Sequence, residues 1–469
     1  MVQFEAYSFT YTKHMSLKEQ LSTLHQYFNS HVTKDIAWRK QQLINIKKLV
    51  IENEKPLLDA LYQDLGKPNL EGWITEISYI TGDVDHTIKH LKSWSAKQKV
   101  STPIVVQPGS SYIRQEPQGT VLIIGAWNYP IQLIFGPLVA VISAGNCAVI
   151  KPSELAPKTS ELIAKLVPKY LDTNAVIVVE GAVEETTQLL NEKFDHIMYT
   201  GNGAVARIVM SAASKHLTPV TLELGGKSPV YIDESANLSI TAQRVAWGKW
   251  LNSGQTCIAP DYILTTKSLV QPLIDSLKKE ITSMFGLKVK ESKSYGRIVN
   301  SRHAQRLVNY LENQDVIVGG EHDIVNKFME PTIVVIKDLD CPLMKEEIFG
   351  PILPIFVVDD FDHAKSYVLE NDKPLAAYLF TKNKTQEKQW INEIQAGSQC
   401  INDVIMFNAV PDLPFGGTGA SGIGQYSGKS GFDNFSHAKP VLKRPFIKDL
   451  PVRFAPYSDL KFKILRFLR

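Results

Sequence analysis

From Thr120 onward the chain repeats one pattern that few architectures can accommodate, namely strand-length apolar runs separated by stretches of helix-forming sequence. The runs are Val121-Leu122-Ile123-Ile124, Ala148-Val149-Ile150, Val176-Ile177-Val178-Val179, His196-Ile197-Met198-Tyr199 and Val220-Thr221-Leu222. They are continuously apolar, which is the signature of strands covered on both faces. Such strands, linked by helical crossovers of one hand, give a parallel, doubly wound α/β sheet. Ligands then bind beyond the C-terminal ends of the strands. A second series runs through Pro229-Val230-Tyr231-Ile232, Ile263-Leu264, Thr332-Ile333-Val334-Val335, Ile355-Phe356-Val357-Val358 and Tyr378-Leu379-Phe380, and predicts a second α/β domain.

Length agrees with this, because 469 residues exceed one ordinary core and imply two or three domains. With 51 basic against 48 acidic residues, the charge of +3 argues against nucleic-acid binding through bulk electrostatics and leaves a small molecule or a second subunit as partner. The four cysteines (Cys147, Cys257, Cys341, Cys400) lack paired metal-ligand spacing and secreted-scaffold density, which points to a reducing compartment. No segment reaches the ~20 apolar residues that span a bilayer, and no signal pattern opens the chain, so a cytoplasmic location is expected. Upstream of the sheet, Ser16 and Glu19 form a capping-box pattern ahead of Leu17, Leu21, Leu24 and Phe28 on one helical face, and Asp35 to Glu54 continues in helical style.

Three glycine-marked loops carry the chemistry. Cys257 lies in Asn252-Ser253-Gly254-Gln255-Thr256-Cys257-Ile258-Ala259-Pro260-Asp261, Glu223 in Leu222-Glu223-Leu224-Gly225-Gly226-Lys227, and Asn128 in Gly125-Ala126-Trp127-Asn128-Tyr129-Pro130. Together they offer a nucleophile, a base and an oxyanion donor. Taken singly, each has a plainer reading: a cysteine is more often a small buried hydrophobe, a glutamate a surface carboxylate, and an asparagine before Tyr-Pro a helix cap. Asn128 and Glu223 fall at the edge of the first α/β series and Cys257 within the second. A reaction centre built from them sits in the cleft between domains.

These loops, with Lys151-Pro152-Ser153-Glu154, Tyr199-Thr200-Gly201-Asn202, Glu346-Glu347-Ile348-Phe349-Gly350-Pro351 and Pro414-Phe415-Gly416-Gly417-Thr418-Gly419-Ala420-Ser421-Gly422, occur in an order that resembles the aldehyde dehydrogenase superfamily. The form Gly254-Gln255-Thr256-Cys257 is similar to its class 3 branch. The resemblance implies a Rossmann-like doubly wound cofactor domain over residues 1–96 and 116–223, and a catalytic α/β domain over 224–424. It also implies a small oligomerisation arm from 97–115 and 425–455, and a tail at 456–469. Carried over by motif, Cys257 is the nucleophile, Asn128 an oxyanion donor and Glu223 the base that hydrolyses a thioester left after hydride transfer. Lys151 and Glu154 match positions at the adenosine ribose, Gly201 and Asn202 open the phosphate-binding helix, and Glu347 and Phe349 match the holders of the nicotinamide ribose and ring. The fingerprint Gly201-Asn202-Gly203-Ala204-Val205-Ala206 has alanine at its third glycine position. NAD is the expected cofactor, with NADP open. Medium or long aliphatic and aromatic aldehydes are the implied substrates, with Tyr129, Ile405 and Phe415 as pocket walls, and a homodimer is the implied assembly. An acylating enzyme using coenzyme A, a thiol esterase and a non-catalytic scaffold are the rivals, and Glu223 favours water as the acceptor.

Three further features remain. His86 and His90 have the four-residue spacing of a zinc pair, but Thr87 stands where a metalloprotease base would, so a solvated helix face and no metal are expected. The tail places Leu460, Ile464, Phe467 and Leu468 on one helical face among basic residues; packing on the protein or a sister subunit is favoured over attachment to anionic lipid. Met1 to His14 precede the capped helix and are expected to be dispensable, with Met15 as an alternative start.

Overall fold

Every run in both series is a strand in the computed structural model of the chain, which describes residues 15–449 and 451–467. The first sheet has the order Gly422–Ile423, Val220–Glu223, His196–Thr200, Thr120–Ile124, Cys147–Lys151, Val176–Val178. All neighbours are parallel except the short edge strand Gly422–Ile423. Its three central strands are buried throughout, as continuous apolar runs require. The chain leaves Thr120–Ile124 toward one edge, then returns to the other side with His196–Thr200. The crevice for a ligand therefore opens beyond the C-terminal ends of these two strands, where Gly125 and Gly201 follow.

The second sheet orders its strands Val316–Val318, Thr332–Val335, Ile352–Val358, Tyr262–Thr266, Pro229–Ile232, Ala376–Phe380, Ser398–Ile401, all parallel except the first pair. A third, antiparallel sheet of Gln98–Val100, Ser110–Pro117 and Ser436–Lys443 is largely exposed. The helix Gln132–Ala144, apolar all round, is buried along its whole length behind the first sheet.

Helix Leu17–Asn29 opens with the anticipated capping box. The Ser16 backbone N–H donates to Glu19 Oε2 at 2.7 Å, Ser16 Oγ accepts from Glu19 N at 3.3 Å, and Leu21 and Leu24 point into the core. Residues 1–14 and Leu468 lie outside the described residues. The tail departs from the favoured expectation in part, because helix Asp459–Phe467 buries none of its residues on its own chain, and Leu460 and Phe467 are 68% and 90% exposed. No helix among the described residues is long and apolar enough to cross a membrane.

One buried ion pair ties the N-terminal helices to the first sheet. Lys67 and Glu76 are both fully buried and meet at 2.6 Å. Lys67 Nζ also donates to the Asn128 carbonyl at 3.0 Å, while Glu76 Oε2 accepts from Ile131 N at 2.8 Å and Gln132 N at 3.2 Å, where the helix Gln132–Ala144 begins. With its partners in place neither charge is stranded, and the loop carrying Asn128 is clamped at both ends. Lys67→Met strands the Glu76 carboxylate and is expected to destabilise the protein by about 3–5 kcal/mol. Denaturant unfolding checks this, and a midpoint unchanged from wild type would contradict it.

Candidate active-site cleft

The loop that presents Cys257 has an uncommon backbone. Helix Leu238–Trp250 ends, and Asn252, Ser253 and Gly254 then take positive φ values of 51°, 52° and 76°. Non-glycine residues resist this region, so the surroundings must over-determine it. They do so with hydrogen bonds: Glu71 Oε1 accepts from Asn252 N at 2.9 Å, and Asn252 Nδ2 donates to the Asn128 carbonyl at 2.8 Å. The Gln255 amide donates to the carbonyls of Asn252 at 3.0 Å and Arg297 at 2.9 Å, and its Oε1 accepts from Val299 N at 2.9 Å. Gly254 is required twice over, since a Cβ there would come within 2.2 Å of the Gly350 carbonyl. The loop ends with Cys257 half-buried at the cleft.

Asn128 reaches this loop from the first sheet. Its Nδ2 donates to the Gln255 carbonyl at 3.0 Å, and the residue is 3% exposed. An amide nitrogen carries two hydrogens, so this bond fixes the group and leaves one donor. Glu223 is the last residue of its strand and is buried, and neither carboxylate oxygen has a hydrogen-bond partner. Burial holds its carboxyl well above the usual range. Burial also pushes the Cys257 thiol up, helped by the nearby carboxyls of Glu347 and Glu223.

Asn128, Glu223 and Cys257 share a single cleft of about 500 Å³ with all six residues expected to bind cofactor, Lys151, Glu154, Gly201, Asn202, Glu347 and Phe349. The volume is that of an ordinary ligand pocket. At one end Lys151 Nζ meets Glu154 Oε2 at 2.8 Å. Asn202 caps the helix Gly203–Ser214 by accepting from Val205 N at 3.0 Å, so the positive end of that helix opens on the cleft as a phosphate requires. Ala206, at the irregular fingerprint position, is buried on the sheet side. At the other end the aromatic ring of Phe349 packs edge-on against Trp127 at 5.4 Å, and His303 lies 5.6 Å from the same indole. Gly225 leaves the room that Glu347 occupies, because a Cβ there would stand 2.1 Å from Glu347 Oε2. Burial, and secondarily Asp261, lift the Glu347 carboxyl to about 8. Thr200 Oγ1, also in the lining, is buried without a partner. Orphaned polar atoms, a helix N-terminus opening on the cleft and a paired lysine and glutamate suit an extended dinucleotide.

Three expected residues lie elsewhere. Tyr129, Ile405 and Phe415 are buried outside the cleft lining. Tyr129 Oη lies 2.6 Å from Thr256 Oγ1, Phe415 packs on Phe407 and Tyr426, and Ile405 adopts a positive φ of 63°. Conversely, Trp127, His303 and Arg306 line the cleft without having been singled out from sequence. Arg306 donates to the Ile348 carbonyl at 2.7 Å, and Lys227 binds Asp261 and the carbonyls of Leu343 and Glu346, so both brace the loop carrying Glu347. Trp127 sat inside a quoted motif, whereas His303 and Arg306 lie on a helix whose pattern gives no sign of the cleft.

Among the described residues no group of three His, Cys, Asp or Glu side chains is placed to hold a metal. His86 and His90 are half-buried rather than on a solvated face; their rings lie 4.4 Å apart and both pack against Trp94.

Residues 8–441 match the model of the aldehyde dehydrogenase family. The dimeric NADP-preferring aldehyde dehydrogenase of Rattus norvegicus is 44% identical over 434 residues, covering 92% of this chain and 96% of its own length. Aldehyde dehydrogenase family 3 member H1 of Arabidopsis thaliana is 45% identical, covering 96% of this chain and 94% of its own length. A substrate-bound structure of Staphylococcus aureus AldH superposes with a TM-score of 0.94 at 42% identity, covering 97% of this chain and all of that one. With that family model spanning nearly the whole chain, and with this fold and cleft, the chain belongs to the aldehyde dehydrogenase family.

Proposed function

We propose that this aldehyde dehydrogenase oxidises its substrate through a covalent intermediate on Cys257, with Asn128 and Glu223 as its two assistants. The observation that carries the reading is the buried Glu223 carboxyl, left without any hydrogen bond in the same cleft as Cys257 and the free Asn128 donor. A native fold rarely leaves a carboxyl so unsatisfied unless the group has work to do there.

The Cys257 thiol gives up its proton to water, and the thiolate attacks the aldehyde carbon. The oxyanion that forms takes the second N–H of Asn128 and the backbone N–H of Cys257. Oxidised nicotinamide dinucleotide, when bound, supplies the hydride acceptor, after which the carbon on sulfur is a thioester. Glu223 then takes a proton from water as the water oxygen adds to the thioester carbon. The sulfur departs as thiolate and the carboxylic acid leaves. Sulfur suits both halves, since a thiolate attacks readily and also leaves readily.

Lys151 and Glu154 hold the adenosine ribose, the N-terminus of helix Gly203–Ser214 takes the pyrophosphate, and Glu347 and Phe349 hold the nicotinamide end. A carboxylate at the ribose accepts from two hydroxyls and repels a 2′-phosphate, which favours NAD. The rat relative is named NADP-preferring, and Glu154 is 43% exposed and paired only with Lys151, so it can turn aside and admit NADP. Tyr129, whose hydroxyl meets Thr256 beside Cys257, with the buried Ile405 and Phe415, would give the acyl side an apolar surround suited to aliphatic and aromatic aldehydes. The exposed three-stranded sheet serves as the joint of a homodimer.

Asn128→Ala removes one oxyanion donor and is expected to lower turnover by about two to three orders of magnitude, or about 3–4 kcal/mol. Steady-state rates within a few-fold of wild type would refute the role. In Glu223→Gln the thioester forms but is not hydrolysed, so stopped-flow should show a burst near one reduced dinucleotide per subunit and then almost no turnover. In the wild type the base must be ionised and burial raises its carboxyl, so the hydrolytic rate should climb with pH and this limb should vanish in Glu223→Gln. Sustained turnover with no burst would contradict the assignment. Glu154→Gln should raise kcat/KM with NADP while leaving NAD within a few-fold; a loss with both alike would remove Glu154 from cofactor choice.

A further inference from the structure

Three strands lie side by side in the second sheet, in the order Ile352–Val358, Tyr262–Thr266, Pro229–Ile232, and all run parallel. Their N-terminal ends therefore lie together, and each is entered by a segment that carries a group of the cleft. The segment before Pro229 starts at Glu223, the one before Tyr262 contains Cys257, and the one before Ile352 contains Glu347 and Phe349. Base, nucleophile and nicotinamide holder thus reach the cleft from one end of one sheet, and their spacing is set by whatever joins these segments.

Asp261 and Lys227 join them. The register pairs Pro229 with Tyr262, so Asp261 comes beside Ser228, and its backbone N–H donates to the Ser228 carbonyl at 2.9 Å. The Asp261 side chain is buried with both oxygens engaged: Oδ1 accepts from Ile348 N at 3.1 Å, and Oδ2 from Lys227 Nζ. Lys227 Nζ also donates to the carbonyls of Leu343 at 2.7 Å and Glu346 at 3.0 Å, so all its donors are used. Ile348 stands between Glu347 and Phe349, and Phe349 has a positive φ of 47°, which an aromatic residue keeps only when its surroundings impose it. Asp261 imposes it through the Ile348 N–H, and Arg306 through the Ile348 carbonyl at 2.7 Å. An apolar pair would fill the place of Asp261 and Lys227 without desolvating charge, but it could not hold a backbone N–H and two carbonyls of the neighbouring loop.

The dependence runs one way. The Cys257 segment is held without the Asp261 side chain, by the backbone bond to Ser228, by a strand paired on both sides, and by Asn252 and Gln255 in the turn before the sulfur. The Ile348 N–H has the Asp261 carboxylate as its partner.

We propose that Asp261, locked by Lys227, is a positioning residue for hydride transfer, setting Phe349, and the nicotinamide that Phe349 holds, in register with the carbon carried on Cys257. This rests on Cys257 as nucleophile and on Phe349 at the nicotinamide end. Neither Asp261 nor Lys227 lines the cleft, so each acts through the Glu347–Phe349 loop and touches no substrate.

The test compares two activities of the same sulfur. Reduction of NAD by benzaldehyde needs the nicotinamide in register. Hydrolysis of p-nitrophenyl acetate does not: the thiolate displaces nitrophenolate to leave an acetyl thioester, and water deprotonated by Glu223 releases acetate. Asp261→Asn keeps an acceptor for Ile348 N but loses the charge that locks Lys227, whereas Asp261→Ala loses both. NAD reduction should fall about tenfold in the first and about a hundredfold in the second, while ester hydrolysis without cofactor stays within about threefold of wild type. With benzaldehyde deuterated at its aldehyde carbon, the isotope effect on kcat should rise from wild type to Asn to Ala as hydride transfer comes to limit turnover. Equal losses of both activities, NAD reduction near the wild-type rate, or an isotope effect that does not move would each overturn the proposal. Should neither variant fold, Lys227→Gln carries the test, since it spares the bond to Ile348 and only loosens the lock; it should show the same split in smaller measure, and parallel losses would overturn the proposal. Wild-type protein that reduces NAD yet hydrolyses no ester would instead strike at Cys257 as acyl carrier, and the isotope effect alone would then judge Asp261.

Discussion

The hydrogen bond from the Asn128 amide to the Gln255 carbonyl, 3.0 Å long, is the contact on which the cleft depends. It joins a loop of the first sheet to the loop that presents Cys257 from the second. Each side of it is separately anchored. The Asn128 loop is clamped by the buried pair of Lys67 and Glu76, and the Cys257 loop is held in three left-handed residues by Asn252, Gln255 and Glu71. Neither loop would be expected to keep its conformation alone. Joined, they set a sulfur and an amide donor in fixed relation before any substrate arrives, which is the preorganisation that makes oxyanion stabilisation effective.

The same enclosure governs the acids and bases. Glu223, Glu347, Cys257 and Lys249 are all driven toward their neutral forms by burial. A base held neutral in a water-poor cleft is strong once ionised, and a thiol held neutral is protected from adventitious oxidation. Stability is given up for this readiness, since the polar atoms of Glu223 and Lys249 are buried unpaired.

The sheets were legible because parallel strands buried on both faces leave unbroken apolar runs, and each such run became a strand. Val316–Val318, Ser398–Ile401 and the two-residue edge Gly422–Ile423 were not, because they are short and their identity comes from the neighbour they pair with. In the cleft, Cys257, Glu223 and Asn128, marked by their glycine-bearing loops, line one pocket with the six residues to which the family resemblance pointed. Lys67, Glu76 and Arg306 could not be read from sequence, since they sit in or beside helices and act through contacts 42 to 61 residues away, with nothing in their own neighbourhood to mark them. Tyr129, Ile405 and Phe415 show the converse limit, because sequence placed them near the nucleophile but not which way they face. The tail shows a related limit: an amphipathic pattern announces that a face seeks cover without naming what covers it.

The central claim, that Cys257 carries the substrate carbon covalently in a cleft built by both α/β domains, is tested most directly by peptide mapping. Glu223→Gln protein mixed with an aldehyde and NAD, quenched in acid and digested, should show the acyl mass on the peptide containing Cys257 and on none containing Cys147, Cys341 or Cys400. Reduction of NAD accompanied by an unmodified Cys257 peptide would contradict the account.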